Sequence, residues 1–174
     1  MTQDDNTGNE DGQDAERVSA RIVDAEKKDA DAISRLLVAS ITELCSPDHR
    51  GDDGLISQWT ENKTVERVTQ WIEDPQQRLL VGWERDELVS VGAIGPGIVH
   101  LNYVAPHHRF RGHSKAMLGV MEACLMMIGT PNARLTSTAT AKRFYRTRGW
   151  IEAGEPIEMF GLMGFPMTKQ LHED

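Results

Sequence analysis

The sequence predicts an α+β domain with a mixed, mostly antiparallel central sheet. Three observations carry this prediction: three strand patterns joined by tight turns between residues 79 and 104, helical patterns on either side of them, and a strand–turn–helix unit at their end. Strands joined by tight turns pair antiparallel, because a parallel pair needs a long crossover connection. With 174 residues, 39% of them hydrophobic, the chain is long enough for one domain with its own core.

One strand and two helices are predicted before the three-strand segment. Residues 18–23 alternate weakly and predict a strand, and apolar residues recur at helical spacing from Ala32 to Leu44, where Asp29 or Asp31 can cap the helix. Ser46-Pro47-Asp48 ends this helix, and the glycines and aspartates of residues 46–57 predict a loop. A second, short helix over residues 65–72 ends at Asp74-Pro75.

The later elements follow in a regular order. The three paired strands are predicted at 79–83, 88–94 and 98–104, with turns at 84–87 and 95–97. An apolar stripe then predicts a long helix over 117–128, closed by Gly129 and Pro131. A strand, a short helix capped by Gly149 and two closing strands are expected last, at 134–137, 139–147, 150–151 and 165–171.

Charge and composition exclude several classes of protein. Six acidic residues and no Lys or Arg lie in residues 1–16, so residues 17–174 carry a net charge of only −2 out of the total of −8. We therefore expect an acidic, disordered tail over 1–17, a single domain over 18–174, and no nucleic-acid partner. No run is apolar enough for a membrane helix, and no secretory signal is present. Cys45 and Cys124 form no disulfide framework, which favours a cytoplasmic protein, and Cys124 is predicted to be a buried core thiol.

The turn between the third paired strand and the long helix has the features of an anion site. It contains Arg109-Phe110-Arg111-Gly112-His113-Ser114-Lys115. The first N–H groups of a helix lack internal partners and lie at the positive end of its dipole. Gly112 lets an anion approach the backbone, and the basic side chains add positive charge. A basic surface turn that only begins a helix is the alternative interpretation.

A phosphate-binding P-loop is excluded at this turn, although Gly112-His113-Ser114-Lys115 is superficially similar to one. That motif requires Gly-Lys followed by Ser or Thr, with another glycine five residues earlier, and the sequence contains no such tripeptide. A nucleotide-phosphate enzyme is therefore a third, weaker hypothesis.

A second segment of interest runs from Ala141 to Trp150. Its Phe144 and Trp150 are expected in the core, while Tyr145 lies on a short basic helix. Tyr145 is interpreted either as a half-buried tyrosine with a hydrated hydroxyl or as a proton donor to a leaving thiolate.

Together, these two segments resemble the GNAT superfamily of acetyl-CoA-dependent N-acyltransferases. The cofactor motif of that family, [Arg/Gln]-x-x-Gly-x-[Gly/Ala] after a strand ending in Val-x-Pro, matches residues 104–114 in register. A second motif, Ala-x-x-[Phe/Leu]-Tyr-x-x-x-Gly-[Phe/Trp], matches residues 141–150. The resemblance covers about residues 18–172. Three positions depart from the family pattern: Phe110 replaces a glycine, Ser114 the last Gly/Ala, and Thr138 an asparagine that often contacts the cofactor.

The resemblance implies a sheet splayed at its middle strands and direct transfer of acetyl from acetyl-CoA to a primary amine of a small molecule or protein. The Val104 N–H would polarise the thioester carbonyl, and Tyr145 would protonate the departing thiolate. His100 is the candidate base, a satisfied strand histidine being its alternative, and Glu26 is a weaker candidate. The residues implied to bind the cofactor are Asn102, Tyr103, Val104, Arg109, Phe110, Arg111, Gly112, His113, Ser114, Lys115, Thr138 and Lys142.

Other interpretations stay open beside this one. A catalytically silent acyl-CoA-binding sensor would share the same turn. A metal site at His107, His108 and His113 is not expected, because the three lack zinc spacing and a neighbouring carboxylate. The apolar segment 159–167 predicts a closing hairpin, with an acceptor pocket or a homodimer contact as alternatives. We expect acceptor specificity from residues 45–62 and from this hairpin.

Overall fold

Eight strands form one open sheet in the computed structural model, which describes residues 20–171. The spatial order is β1-β2-β3-β4-β5-β8-β6, with β7 paired to β8. Every described pair is antiparallel except β4 with β5. The strands are β1 (Arg21–Asp24), β2 (Arg78–Glu84), β3 (Glu87–Gly95), β4 (Ile98–Val104), β5 (Asn132–Ser137), β6 (Ile151–Glu152), β7 (Ile157–Met159) and β8 (Leu162–Gln170).

Six α-helices accompany the sheet in the described part of the chain: α1 (Ala30–Leu44), α2 (Ser46–His49), α3 (Asp53–Thr60), α4 (Val65–Glu73), α5 (His113–Met127) and α6 (Ala139–Arg146). Because side chains alternate between the faces of a strand, β2 and β3 contribute to two cores. The α1 and α4 helices pack on one face, with Ile33 and Val68 against Val91. The α5 helix packs on the other, with Met117 and Met121 near Leu80 and Ile94. No helix of residues 20–171 has the length and apolarity to cross a bilayer.

The structure confirms the α+β class and most of the predicted elements, and it corrects two predictions. The predicted loop over 46–57 is wrong, because it contains α2 and most of α3. Pro47 lies in the first turn of α2, where a missing N–H costs nothing, and the Asp52 carboxylate caps α3 by accepting from Leu55 N at 2.9 Å. Cys124 is only half-buried, with its Sγ 3.1 Å from Arg78 Nη1. The predicted tail over 1–17 lies outside the described residues.

The sheet opens between β4 and β5. The two strands pair at Ile98 and Arg134, and Arg134 N donates to Gly97 O at 2.9 Å. Beyond this point the two strands diverge toward the C-terminal end of β4. A bulge lies at the same place: Leu101 pairs with Ala93 and Val99 with Ile94, so His100 is the extra residue on β4. Bulges bend a strand and redirect its side chains.

Candidate active site

Two adjoining cavities occupy the opening between β4 and β5. The larger has a volume of about 610 Å³ and lies against the N-terminus of α5 and against α6. The smaller has a volume of about 340 Å³ and lies against α3 and the β7–β8 hairpin. His100, Tyr103, Thr136 and Thr138 line both cavities. A molecule in the larger cavity can therefore meet a molecule in the smaller one at these four residues.

The N-terminus of α5 forms one wall of the larger cavity. Gly112 is the N-cap of the helix and has a φ of +89°, a left-handed conformation that favours glycine, and no side chain caps the helix. The first backbone bond across this end runs from Ala116 N to Gly112 O at 3.0 Å, so the N–H groups before it have no helical partner. Asn102 Nδ2 donates to Ser114 O at 3.2 Å and ties β4 to this turn. The wall thus offers an anion unpartnered N–H donors and the positive end of a helix dipole.

Four basic side chains surround the same cavity: Arg109, Lys115, Arg143 and Arg148. Within residues 20–171, none of them forms an ion pair with a carboxylate. The Nε of Arg148 is buried and has no hydrogen-bond partner among the described atoms. Cations gathered without counter-charges fit a ligand that brings several negative charges of its own.

The free edge of β4 presents one particular N–H group to the cavity. Ala105 N donates to Val89 O of β3 at 2.9 Å. Because N–H groups alternate in direction along a strand, the Val104 N–H points to the opposite edge, toward the gap where β5 has diverged. Val104 also lines the larger cavity. Its N–H is therefore available to a ligand carbonyl.

Tyr145 reaches the larger cavity from α6. The residue is only 6% exposed and packs edge-on against Phe144 and Trp150, with ring centroids 5.2 Å and 6.0 Å away. Burial raises the pKa of the Tyr145 hydroxyl above its ordinary value, while the Asn102 side chain opposes this rise. The Oδ1 atom of Asn102 is buried without a hydrogen-bond partner in the described chain. Packing holds the Tyr145 ring rigidly, and the hydroxyl stays protonated at neutral pH.

His100 lies where the two cavities meet. The β4 bulge sets its imidazole over Gly95, where a Cβ atom would come within 2.6 Å of His100 Nε2. Burial lowers the pKa of His100, which favours the neutral ring that can accept a proton. Glu26 is not brought to this place: it lies outside both cavities and pairs with Lys28 at 2.8 Å.

Most of the residues implied to bind the cofactor line the larger cavity, but the side chains of Arg111 and Lys142 lie elsewhere. Lys142 Nζ pairs with Glu152 at 2.8 Å and sits over the Phe165 ring. Arg111 Nη1 lies 3.9 Å from Glu84 Oε1. Those that line it are Asn102, Tyr103, Val104, Arg109, Phe110, Gly112, His113, Ser114, Lys115 and Thr138.

Phe110 has a left-handed backbone conformation, a region that favours glycine. Its φ is +65°, and its ring is 90% exposed under the Arg109 guanidinium, 4.5 Å from the ring centroid. A left-handed conformation is costly for an aromatic residue. The turn therefore holds an aromatic residue in a conformation that is costly for it.

Sequence reasoning missed Lys63, which lines the smaller cavity. This residue is 4% exposed, and its ammonium lies 5.5 Å and 5.4 Å from the ring centroids of Trp71 and Phe160. Burial lowers the pKa of Lys63 to about 8. Its Nζ donates to Asn62 Oδ1, and no carboxylate of residues 20–171 pairs with it. No local sequence signal marks it, since Phe160 comes from a distant segment, although Trp71 lies on the next helix.

Sequence reasoning also missed Asp48, which connects α2 to the start of α6. Its carboxylate accepts hydrogen bonds from Ala139 N at 2.7 Å and Thr140 N at 3.0 Å. This contact fixes the segment before α3 beside the helix that carries Tyr145. The Ser46-Pro47-Asp48 signal was interpreted only as a helix stop.

Comparison with known proteins agrees with this geometry. A family model described as the acetyltransferase (GNAT) domain matches residues 22–171. A sequence comparison with curated proteins gives no match.

Three solved structures have a similar fold at low identity. A GCN5-related N-acetyltransferase from Rhodopseudomonas palustris superposes with a TM-score of 0.80 at 19% identity, over 88% of this chain and 96% of that one. PaiA N-acetyltransferase from Thermoplasma acidophilum, solved in complex with coenzyme A, has a TM-score of 0.72 at 17% identity over 87% and 99%. The third, yncA from Salmonella typhimurium with its cofactor acetyl-CoA, has a TM-score of 0.64 at 21% identity over 89% and 95%. The chain therefore belongs to the GNAT family of acetyltransferases.

Proposed function

We propose that the chain transfers the acetyl group of acetyl-CoA to a primary amine of a small molecule or protein. The observation that carries this proposal is the junction of the two cavities at His100, Tyr103, Thr136 and Thr138. One cavity has the charge and the free N–H groups for a phosphate-bearing cofactor, and the other has room for an acceptor. The junction is the place where the two would react.

Coenzyme A fits the residues of the larger cavity. Its pyrophosphate would take the free N–H groups at the start of α5, with Arg109 and Lys115 adding charge–charge attraction. Its pantetheine arm would lie along the unpaired edge of β4 from Asn102 to Val104. The thioester would then lie next to Tyr145 and the Val104 N–H.

The reaction would be a direct attack on the thioester. The amine nitrogen bonds to the acetyl carbon, the Val104 N–H stabilises the oxyanion, and the carbon–sulfur bond breaks. The leaving coenzyme A thiolate takes the hydroxyl proton of Tyr145. Tyr145, whose hydroxyl is protonated at neutral pH, would serve as an acid rather than as a nucleophile.

His100 is the group best placed to take the proton that the amine loses. It lines both cavities, and its lowered pKa keeps the ring neutral at physiological pH. Transfer from the amine to His100, directly or through water, and return of the Tyr145 proton from solvent would complete the proton balance.

The smaller cavity favours an acceptor that carries a negative group apart from its amine. Its walls come from residues of α3 and of the β7–β8 hairpin, including Trp59, Phe160 and Leu162. Lys63 is a buried cation in this wall without a carboxylate partner among the described residues. A carboxylate on the acceptor would supply the missing counter-charge. Amino-acid-like amines are therefore the first acceptors to test.

The test is free-thiol release from acetyl-CoA across a panel of amines, half of which carry a carboxylate. Release that requires both the amine and the protein, fastest with the carboxylate-bearing amines, supports the proposal. Tight acetyl-CoA binding without amine-dependent release across the panel would favour the silent sensor. A rise in Tm with ATP but not with coenzyme A would favour a nucleotide-phosphate enzyme.

A further inference from the structure

Two buried histidines and a glutamate meet beneath the turn that precedes α5. Glu84 lies at the end of β2, His108 in the short turn after β4, and His113 is the first residue of α5. Their side chains are 18%, 9% and 4% exposed. The prediction of no metal at His107, His108 and His113 is based in part on the absence of a carboxylate near them in the sequence. In the fold, the β2–β3 hairpin brings Glu84 to His108 and His113.

The spacing of the three groups suits one metal ion. Glu84 Oε2 lies 3.1 Å from His113 Nε2 and 3.5 Å from His108 Nδ1, and one ligand atom from each residue lies within 4.8 Å of the other two. Zinc bonds of about 2.0–2.1 Å at tetrahedral angles place neighbouring ligand atoms about 3.3 Å apart. The distances between Glu84 and the two histidines bracket that value.

The hydrogen bonds around the histidines leave His113 Nε2 free and His108 Nδ1 as an acceptor whose only donor among the described residues is Arg111 Nη1, at 3.4 Å. His113 Nε2 is buried and makes no hydrogen bond of good geometry with the described atoms, although Glu84 is close. His108 Nε2 lies 3.1 Å from Glu87 Oε1, so its N–H donates outward and Nδ1 keeps its lone pair toward Glu84. A carboxylate on the outer nitrogen is the usual support of a metal-binding histidine.

The Arg111 guanidinium places a positive charge next to Glu84 and His108. Its Nη1 lies 3.4 Å from His108 Nδ1 and 3.9 Å from Glu84 Oε1. The Arg111 side chain is 57% exposed, so it can turn into solvent at little cost. A divalent cation on the same three ligands would displace it.

We propose that Glu84, His108 and His113 form a zinc site that holds both ends of the turn over residues 109–112 to β2. His108 and His113 flank residues 109–112, so one ion would fix the turn from both sides. Two imidazoles and one carboxylate suit zinc rather than magnesium or calcium, which prefer oxygen ligands. Three protein ligands leave the fourth position to water.

The primary test is calorimetric titration of the metal-free, untagged protein with zinc chloride. We expect one ion per chain and a rise in Tm, without a comparable rise from magnesium or calcium. Glu84→Gln and His113→Gln should each weaken zinc binding at least tenfold, and Glu87→Gln, which removes the outer carboxylate, by about tenfold. His107→Gln is the matched control, because His107 is exposed and lies outside the cluster.

A cobalt titration of the unsubstituted protein gives a second readout that does not depend on how the variants fold. Four-coordinate cobalt with these ligands should give the intense visible absorption of a tetrahedral site, and zinc should abolish it. No stoichiometric zinc uptake by the folded chain would overturn the proposal. An equal loss of zinc affinity in His107→Gln and His113→Gln would also overturn it. The same holds if the cobalt spectrum is only that of the six-coordinate aqua ion. None of these readouts depends on acetyl transfer, so the site and the proposed function can fail separately.

Discussion

At the scale of single residues, removal of the Tyr145 hydroxyl distinguishes a role in turnover from a role in cofactor binding. The Tyr145 ring is held by Phe144 and Trp150. Tyr145→Phe keeps that packing and removes only the proposed proton donor. We expect the turnover number to fall on the order of 10²-fold. Steady-state kinetics measures this fall.

Coenzyme A affinity and Tm are the controls for Tyr145→Phe, and both should stay near the values of the unsubstituted protein. An unchanged turnover number would remove Tyr145 from the mechanism. Equal losses in affinity and turnover would make it a packing residue.

Substitution of Phe110 tests whether the turn over residues 109–112 requires a residue that tolerates a left-handed backbone conformation. Phe110→Asn and Phe110→Val lose the exposed ring equally, but only asparagine tolerates a φ near +65°. We expect the Asn variant to have a free energy of unfolding about 1 kcal/mol above that of the Val variant. Chemical denaturation of both variants measures the difference. Equal stabilities would mean that the turn relaxes to another conformation.

At the scale of elements, two glycines of the α5 region form a matched pair. Gly112 is the N-cap of the helix with a φ of +89°, whereas Gly119 lies inside the helix, and a Cβ on either would meet nothing within 4 Å. Gly112→Ala should lower the free energy of unfolding by about 1–2 kcal/mol and weaken coenzyme A binding, because alanine disfavours the left-handed turn. Gly119→Ala should raise the free energy of unfolding by up to about 1 kcal/mol, because alanine has the higher helix propensity.

Calorimetry of coenzyme A binding and denaturation of both variants check this contrast. Gly119→Ala should bind coenzyme A as the unsubstituted protein does. If both variants bind equally well, the conformation of the turn is not what recognises the cofactor.

The elements show which features a sequence can predict. The α5 turn was predictable because its glycine, its basic residues and its helix start are neighbours in the chain. The helices α2 and α3 were missed because Pro47 and Asp52 were interpreted as loop residues rather than as helix starters. The bulge at His100 was not predictable, since it depends on the register between β3 and β4.

At the scale of the whole molecule, the groups that sequence reasoning missed are those assembled by distant contacts. Lys63 meets Phe160, and Glu84 meets His108 and His113, only after segments far apart in the sequence have packed together. Local patterns contain no information on such meetings. The fold class and the turn before α5 were therefore predictable, while the smaller cavity and the histidine cluster were not.

The buried Lys63 predicts how stability depends on pH. Its pKa is about 8 in the folded chain and near the ordinary 10.5 when unfolded, so the unfolded state binds the proton more tightly. The resulting destabilisation is complete below pH 8 and disappears as the pH rises toward 10.5. Lys63→Met should therefore be more stable than the unsubstituted protein at pH 7, by about 1–3 kcal/mol.

Denaturation of both proteins between pH 7 and 10 checks this prediction, because titrations common to the two cancel in the difference. The advantage of the Met variant should shrink as the pH rises. A constant advantage would show that folding does not shift the pKa of Lys63, and a variant that is less stable at every pH would show that the surroundings stabilise Lys63.

A crystal structure with coenzyme A bound tests the central claim most directly. We predict the pyrophosphate on the N–H groups at the start of α5, the pantetheine arm along residues 102–104 of β4, and the thiol beside Tyr145 where the two cavities meet. Coenzyme A bound away from the 109–114 turn, or with its thiol outside that junction, would contradict the account.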